Sequence, residues 1–274
     1  MTNLAMLPAR CVLAVSGPDR VAFLQGLVSN DVAEARPGIA IWAALLTPQG
    51  KWLADFFILD DGARLLLDCE AGQREMIQQR LTRYRLRTQV TLAPLADIVH
   101  VAWAGEPDEG VLGEGGLAAR DTRLPEAGWR VLSPEPLATN ATAGDWDSYR
   151  LSLGLPDGSR DLEFEKSVLL EAGFDELHGV SWTKGCYMGQ ELTARTKYRG
   201  LLKRRLVPVD IAGPPLAPGT PLLLDGRDVG VMRSAHGTAG MAVVRLEALD
   251  QVLTHEATTI TPRVPGWMRV EAKN

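Results

Sequence analysis

The densest chemistry in the chain lies in Gly179–Arg205, GVSWTKGCYMGQELTARTKYRGLLKRR. Cys186 follows Gly185 and precedes Gly189, so the backbone there can turn tightly and leave the sulfur accessible. Lys184 stands just before it, and Arg195, Lys197, Arg199, Lys203, Arg204 and Arg205 follow with no acidic residue between Glu191 and Asp210. Cations at this density favour S⁻ over SH, and a thiolate attacks a carbonyl or a disulfide, or ligates a soft metal such as iron. The usual fate of a free cysteine is to be a small buried hydrophobe, and the residues alone leave both readings open. The basic run is likewise either a solvated face at a domain junction or an anion site for a polyglutamate tail, a phosphate or an RNA backbone. Tyr187 and Tyr198 beside it could stack on a flat ring or simply pack.

Nothing else in the chain carries comparable chemistry. Cys11 and Cys69 sit at strand-like positions among apolar neighbours and read as core. Three widely spaced cysteines with no CxxC pair and no His/Cys cluster suggest neither a self-contained zinc site nor a disulfide scaffold. His100, His178, His236 and His255 have no ligand or triad spacing, and no G-x-S-x-G is present.

The elements that must hold this segment follow from periodicity and punctuation. Cys11–Val15 reads as a strand stopped by Ser16-Gly17-Pro18, after which Val21, Leu24 and Val28 recur on one helical face through Phe23–Ser29. Ile39–Leu46 and Trp52–Leu59, joined by Thr47-Pro48-Gln49-Gly50-Lys51, form a hairpin, and Asp60-Asp61-Gly62 turns into Arg64–Cys69. Gln73–Arg87 is helical, with Met76, Ile77, Leu81 and Tyr84 on one face. Val90–Leu92 and Ile98–Trp103 are short strands, and the acidic, glycine-rich Glu106–Gly116 is a surface loop. Asp145 caps a helix carrying Trp146, Tyr149, Leu151 and Leu153. Past Arg205 frequent Gly/Pro turns separate short β-prone runs, Leu222–Leu224, Val229–Met232 and Met241–Leu246, the pattern of a small barrel or sandwich. The layout is α+β, with a boundary near Gly200–Leu206 dividing residues 1–200 from 201–274.

Length and composition agree with this. The 274 residues are 46% hydrophobic and 23% charged, enough for a sizeable core and too apolar for disorder. A net charge of −5 excludes a general phosphate-coating protein, so no direct nucleic-acid contact is expected. The longest apolar runs fall well short of a membrane span and the first ten residues lack a secretory pattern. The expectation is a cytoplasmic monomer that does not engage membranes.

The run Lys184-Gly185-Cys186-Tyr187-Met188-Gly189-Gln190-Glu191 resembles the K-G-C-[FY]-x-G-Q-E signature of the YgfZ family, folate-binding proteins related to the aminomethyltransferase (T-protein) of the glycine cleavage system and to mitochondrial iron–sulfur assembly factors. Phe23-Leu24-Gln25-Gly26 with Asn30-Asp31-Val32, the segment Thr47–Asp55, and Ala194-Arg195 through Lys203-Arg204-Arg205 extend the likeness along the chain. The resemblance implies a T-protein-like fold: an α+β body including a ferredoxin-like part, and a C-terminal β-barrel, around a central folate channel. It implies tetrahydrofolate, or a one-carbon derivative, as ligand. It also implies work on [4Fe–4S] proteins, including tRNA-modifying radical enzymes, with iron–sulfur clients or assembly machinery as partners. Cys186 takes the role of the motif cysteine, with Lys184 and Arg195 as its electrostatic activators. Asp55 falls where aminomethyltransferases place a carboxylate near the folate nitrogen that receives the one-carbon unit. Glu171, in Leu169-Leu170-Glu171, resembles an element whose Glu bonds the pterin amide edge, with Leu169 in place of a Pro. Trp146 opens a helix that resembles one bordering the folate channel, where it could stack on a ring or pack as core. Asn30, Tyr187, Gln190, Glu191, Arg195 and Arg199 complete the expected folate-binding set. The competing activity is a tetrahydrofolate-dependent aminomethyl transfer.

Overall fold

The computed structural model describes residues 2–200 and 202–270, so both ends of the expected segment 201–274 lie outside the described residues. In chain order the body runs β1 (Asn3–Met6), β2 (Arg10–Ser16), α1 (Arg20–Gln25), β3 (Ile39–Leu46), β4 (Trp52–Asp60), β5 (Arg64–Glu70), α2 (Arg74–Tyr84), β6 (Thr91–Leu95), β7 (Ile98–Trp103), α3 (Glu109–Leu112), β8 (Leu117–Asp121), β9 (Trp129–Ser133), α4 (Ala143–Leu153), α5 (Gly158–Asp161) and α6 (Gln190–Arg199). Then follow β10 (Arg204–Ala212), β11 (Pro221–Leu224), β12 (Arg227–His236), β13 (Ala239–Arg245), β14 (Leu253–His255) and β15 (Thr258–Pro262).

The two most apolar runs, β3 and β4, form the centre of a nine-stranded sheet ordered β1-β7-β9-β8-β3-β4-β5-β2-β6. Their near-continuous hydrophobicity follows from burial on both faces. Ala40, Trp42, Ala44 and Leu46 point into one cluster, while Ile41, Ala43 and Leu45 point into another beneath α2. Strand alternation puts Asp55 on the same face as Phe57 and Leu59, and the register shift between Leu45 and Leu46 brings Trp52 onto that face as well. Among the described residues all strand pairs are antiparallel except β3–β8. The remaining six strands close a barrel, β10-β13-β12-β11-β14-β15, with its own apolar interior.

The helix boundaries differ from expectation for local reasons. α1 stops at Gln25 rather than running to Ser29, because Val28 leaves the helix to bridge Leu45. Thr142, not Asp145, caps α4: its side chain accepts from the Asp145 backbone N–H, and the Asp145 carboxylate accepts from the Thr142 backbone N–H at 2.8 Å. The Glu106–Gly116 loop contains a single helical turn, α3, capped by Asp108. The basic run after Cys186 is split: Arg195, Lys197 and Arg199 lie on helix α6, while Arg204 and Arg205 open strand β10.

Candidate functional site

The expected site residues divide between two places. The first is a cavity of about 170 Å³ between the sheet, α4 and α5. Asp55 sits on its sheet wall, 4% exposed, and accepts hydrogen bonds from both Trp42 Nε1 (2.8 Å) and Trp52 Nε1 (3.0 Å). Burial pushes its carboxyl up to about 6, opposed by those indole N–H groups and by Arg10. Each carboxylate oxygen keeps a second lone pair for a ligand N–H. Trp146 lines the opposite wall and also packs against Trp103 and Tyr149, with ring centroids 5.6 and 5.9 Å away. It therefore both packs and faces the cavity.

Five arginines, Arg10, Arg123, Arg130, Arg150 and Arg160, also line this space. Asp68 takes Arg10 at 2.5 Å and Arg130 at 2.7 Å, Asp161 takes Arg150 at 2.6 Å, and Asp147 takes Arg160 at 2.7 Å. The guanidinium carbons of Arg123 and Arg130 each lie 4.7 Å from the centre of the Phe57 ring, and that of Arg10 lies 5.7 Å away. Burial works against ionised Asp157, yet Arg150, Arg10 and Arg160 hold its carboxyl down to about 2. Paired charges can stay inside; unpaired ones could not. This network escaped the reading of the sequence. Its signal was a charge at the buried phase of an apolar strand, as in Asp68 within Leu65–Cys69 and Arg130 within Trp129–Leu132.

The second place is the motif. Residues 178–189 form an irregular segment fastened to the early part of the chain. Ser29 Oγ donates to the Gly179 carbonyl at 2.6 Å, and Asn30 Nδ2 donates to the His178 and Trp42 carbonyls at 2.7 and 2.8 Å. Lys184 Nζ reaches the Val28 carbonyl at 2.6 Å and lies over the Tyr187 ring, and burial lowers its ammonium to about 8. Gln190 accepts the Tyr187 backbone N–H, and the Met188 N–H bonds the Gly26 carbonyl. Gly50 and Gly189, both at φ near +80°, press together where a methyl on either would come within 2.6 Å of backbone. Between these ties Cys186 is exposed, as are Glu191, Arg195, Tyr198 and Arg199 along α6.

The structure thus does not join the two halves of the expected site, since no described residue of the motif lines the Asp55 cavity. Asn30 and Gln190 hold the motif in place, and Lys184 and Tyr187 pack within it. Glu171, on the 3₁₀ turn Leu169–Ala172, receives both its hydrogen bonds from Arg204 Nε at 3.0 Å and borders a different, smaller recess.

Residues 203–270 match the family model of the CAF17 C-terminal beta-barrel domain. Iron–sulfur cluster assembly factor IBA57, mitochondrial, of Mus musculus is 32% identical over 97% of this chain and 86% of its own length. The Homo sapiens protein of the same name is 31% identical over 97% and 85%. The chain belongs to the IBA57 family of iron–sulfur cluster assembly factors. YgfZ names a relative of this group. The crystal structure of glycine cleavage system aminomethyltransferase T from Bartonella henselae superposes with a TM-score of 0.76 over 97% of this chain and 86% of its own, at 17% identity. The T-protein-like α+β fold with its C-terminal barrel is therefore as expected. The cytoplasmic location is not: the IBA57 relatives are mitochondrial proteins. The features behind that expectation, the lengths of the apolar runs and the composition of the first ten residues, do not distinguish one compartment from another. No helix among the described residues is long and apolar enough to cross a membrane.

Proposed function

We propose that this chain supports assembly or repair of [4Fe–4S] proteins, tRNA-modifying radical enzymes among them, using Cys186 as its working thiol and a tetrahydrofolate-type ligand in the Asp55 cavity. The observation that carries the proposal is the exposure of Cys186 on a segment pinned at both ends, which offers a soft ligand or nucleophile to a partner at a fixed position. Assembly machinery or client proteins are the partners, and family membership supports that role.

The cavity residues suit a folate chemically. The Asp55 carboxylate can accept N–H groups of a pterin, the Trp146 indole offers a flat face, and the guanidinium groups match the carboxylates of a glutamate tail. A bound tetrahydrofolate would supply a one-carbon carrier. Asp55 would orient a ring N–H and, with its carboxyl near 6, hold or release a proton close to neutrality.

The test is [4Fe–4S] enzyme activity in cells lacking the protein, complemented with wild type or Cys186→Ala at equal abundance. Restoration by wild type alone supports the assignment, and equal restoration by both removes Cys186 from it. Asp55 on the cavity wall favours one second reading, an aminomethyl transferase. Tetrahydrofolate-dependent ammonia release from an aminomethyl-lipoyl donor, lost in Asp55→Asn, would select it. Calorimetric titration with tetrahydrofolate tests the ligand itself, with weaker binding expected in Asp55→Asn and Trp146→Ala.

A further inference from the structure

Cys11 and Cys69 are far apart in sequence and stand directly opposite each other in the antiparallel β2–β5 pair, with their sulfurs 3.7 Å apart. Directly paired antiparallel residues have Cα atoms about 4.5–5.5 Å apart, inside the range a disulfide spans. Both thiols sit on the α2 side of the sheet, Cys69 fully buried and Cys11 half-buried. On the other face the same strands present Arg10 and Glu70, which line the arginine-rich cavity, and Asp68, which accepts from Arg10 at 2.5 Å.

We propose that Cys11 and Cys69 form a peroxide-sensitive dithiol, in which Cys11 is the attacking sulfur and Cys69 the resolving one. The hydrogen bond from Cys69 draws the Cys11 thiol down against the effect of burial, helped by Arg74, while the same bond and burial push Cys69 up. In the first step the Cys11 thiolate attacks hydrogen peroxide. An S–O bond forms, the O–O bond breaks, the sulfur loses two electrons, and hydroxide leaves to take a proton from solvent. In the second step Cys69 attacks that sulfenic acid. The S–S bond forms, the S–O bond breaks, and the Cys69 proton leaves with the hydroxyl as water. A reducing dithiol reverses the change by exchange. The resulting bridge clamps the strands that carry Arg10, Asp68 and Glu70, so the cavity wall changes with redox state while the Cys186 loop lies elsewhere.

The test uses the full chain carrying Cys186→Ser, which leaves only these two thiols. After brief peroxide treatment and alkylation without reduction, the expected product is about 2 Da lighter than the reduced chain and takes up no alkylating agent. It should yield a Cys11–Cys69 linked peptide that dithiothreitol releases. Its melting temperature should rise by roughly 5 °C, since the bridge closes a long loop of the unfolded chain. Cys69→Ala in the same background should halt at a dimedone-trapped sulfenic acid on Cys11, whereas Cys11→Ala should leave Cys69 unmodified. These readouts are masses, so a modest loss of stability in either variant does not obscure them. Full alkylation of both thiols after a dose that oxidises free glutathione would overturn the proposal, as would intermolecular linkage alone.

Discussion

Asp55 illustrates how a single residue can be readable in position and not in character. Its place in the Thr47–Asp55 segment marked it as a candidate, but its environment comes from tertiary structure: two indole N–H donors and the loss of water. Because its carboxyl is raised to about 6, the folded chain holds a proton that the unfolded chain has already released above about pH 4. Its contribution to stability should therefore fall as pH rises from 4 to 6 and level off above that. Denaturant unfolding across this range should show that slope in the wild type and its loss in Asp55→Asn. Lys184 behaves in the opposite sense. Its ammonium is lowered to about 8, so the cost of burying its charge is present below pH 8 and is relieved as pH rises toward 10.5. Cys186, whose exposed side chain supports nothing, should become Ala with a melting temperature unchanged to within about 1 °C. It should also be the first of the three thiols to alkylate, with buried Cys69 the last.

At the scale of elements, the hairpin of β3 and β4 and the barrel strands β11, β12 and β13 were legible, because alternating or continuous apolar runs between Pro/Gly turns leave few alternatives, whereas β10, β14 and β15 were not singled out. Helix α6 was not, since its sequence from Gln190 to Arg199 buries only Thr193 and Thr196 and has no apolar stripe to reveal it. Sheet order was also hidden, for β1 pairs with β7 and β3 lies parallel to β8, pairings set by distant partners. One tight junction between elements is the hairpin turn against the motif. A methyl on Gly189 would meet the Thr47 carbonyl at 2.5 Å and would stand on a backbone at φ +80°. Gly189→Ala should therefore cost roughly 2–4 kcal/mol in unfolding free energy. Since this residue sets the end of the motif segment, the variant should also lose complementation although Cys186 is intact. A variant with wild-type stability would show that the turn and the motif are not in fact locked together.

At the scale of the molecule, the body and the barrel share one interior. Leu206 and Met241 of the barrel belong to the same buried cluster as Trp146, Leu151 and Leu170 of the body. Arg150 on α4 bonds Asp161 at 2.6 Å and Ser234 of β12 at 3.0 Å, Arg205 pairs with Glu176 at 2.7 Å, and Trp267 Nε1 reaches the Leu153 carbonyl at 2.8 Å. Calorimetry of the full chain should accordingly show a single transition, and a chain ended at Gly200 should show none, having lost one wall of its core. Two resolved transitions would mean that the barrel stands alone. The fastenings of the motif also set an order of events. Val28, Ser29 and Asn30 meet partners 148 to 156 residues later in the chain. A ribosome delivers the seat of the motif long before the motif itself, so the Cys186 segment docks onto a surface that has had time to form. Cys186 is thus among the last parts of the body to find its place, and a nascent chain carries it unfastened until that moment.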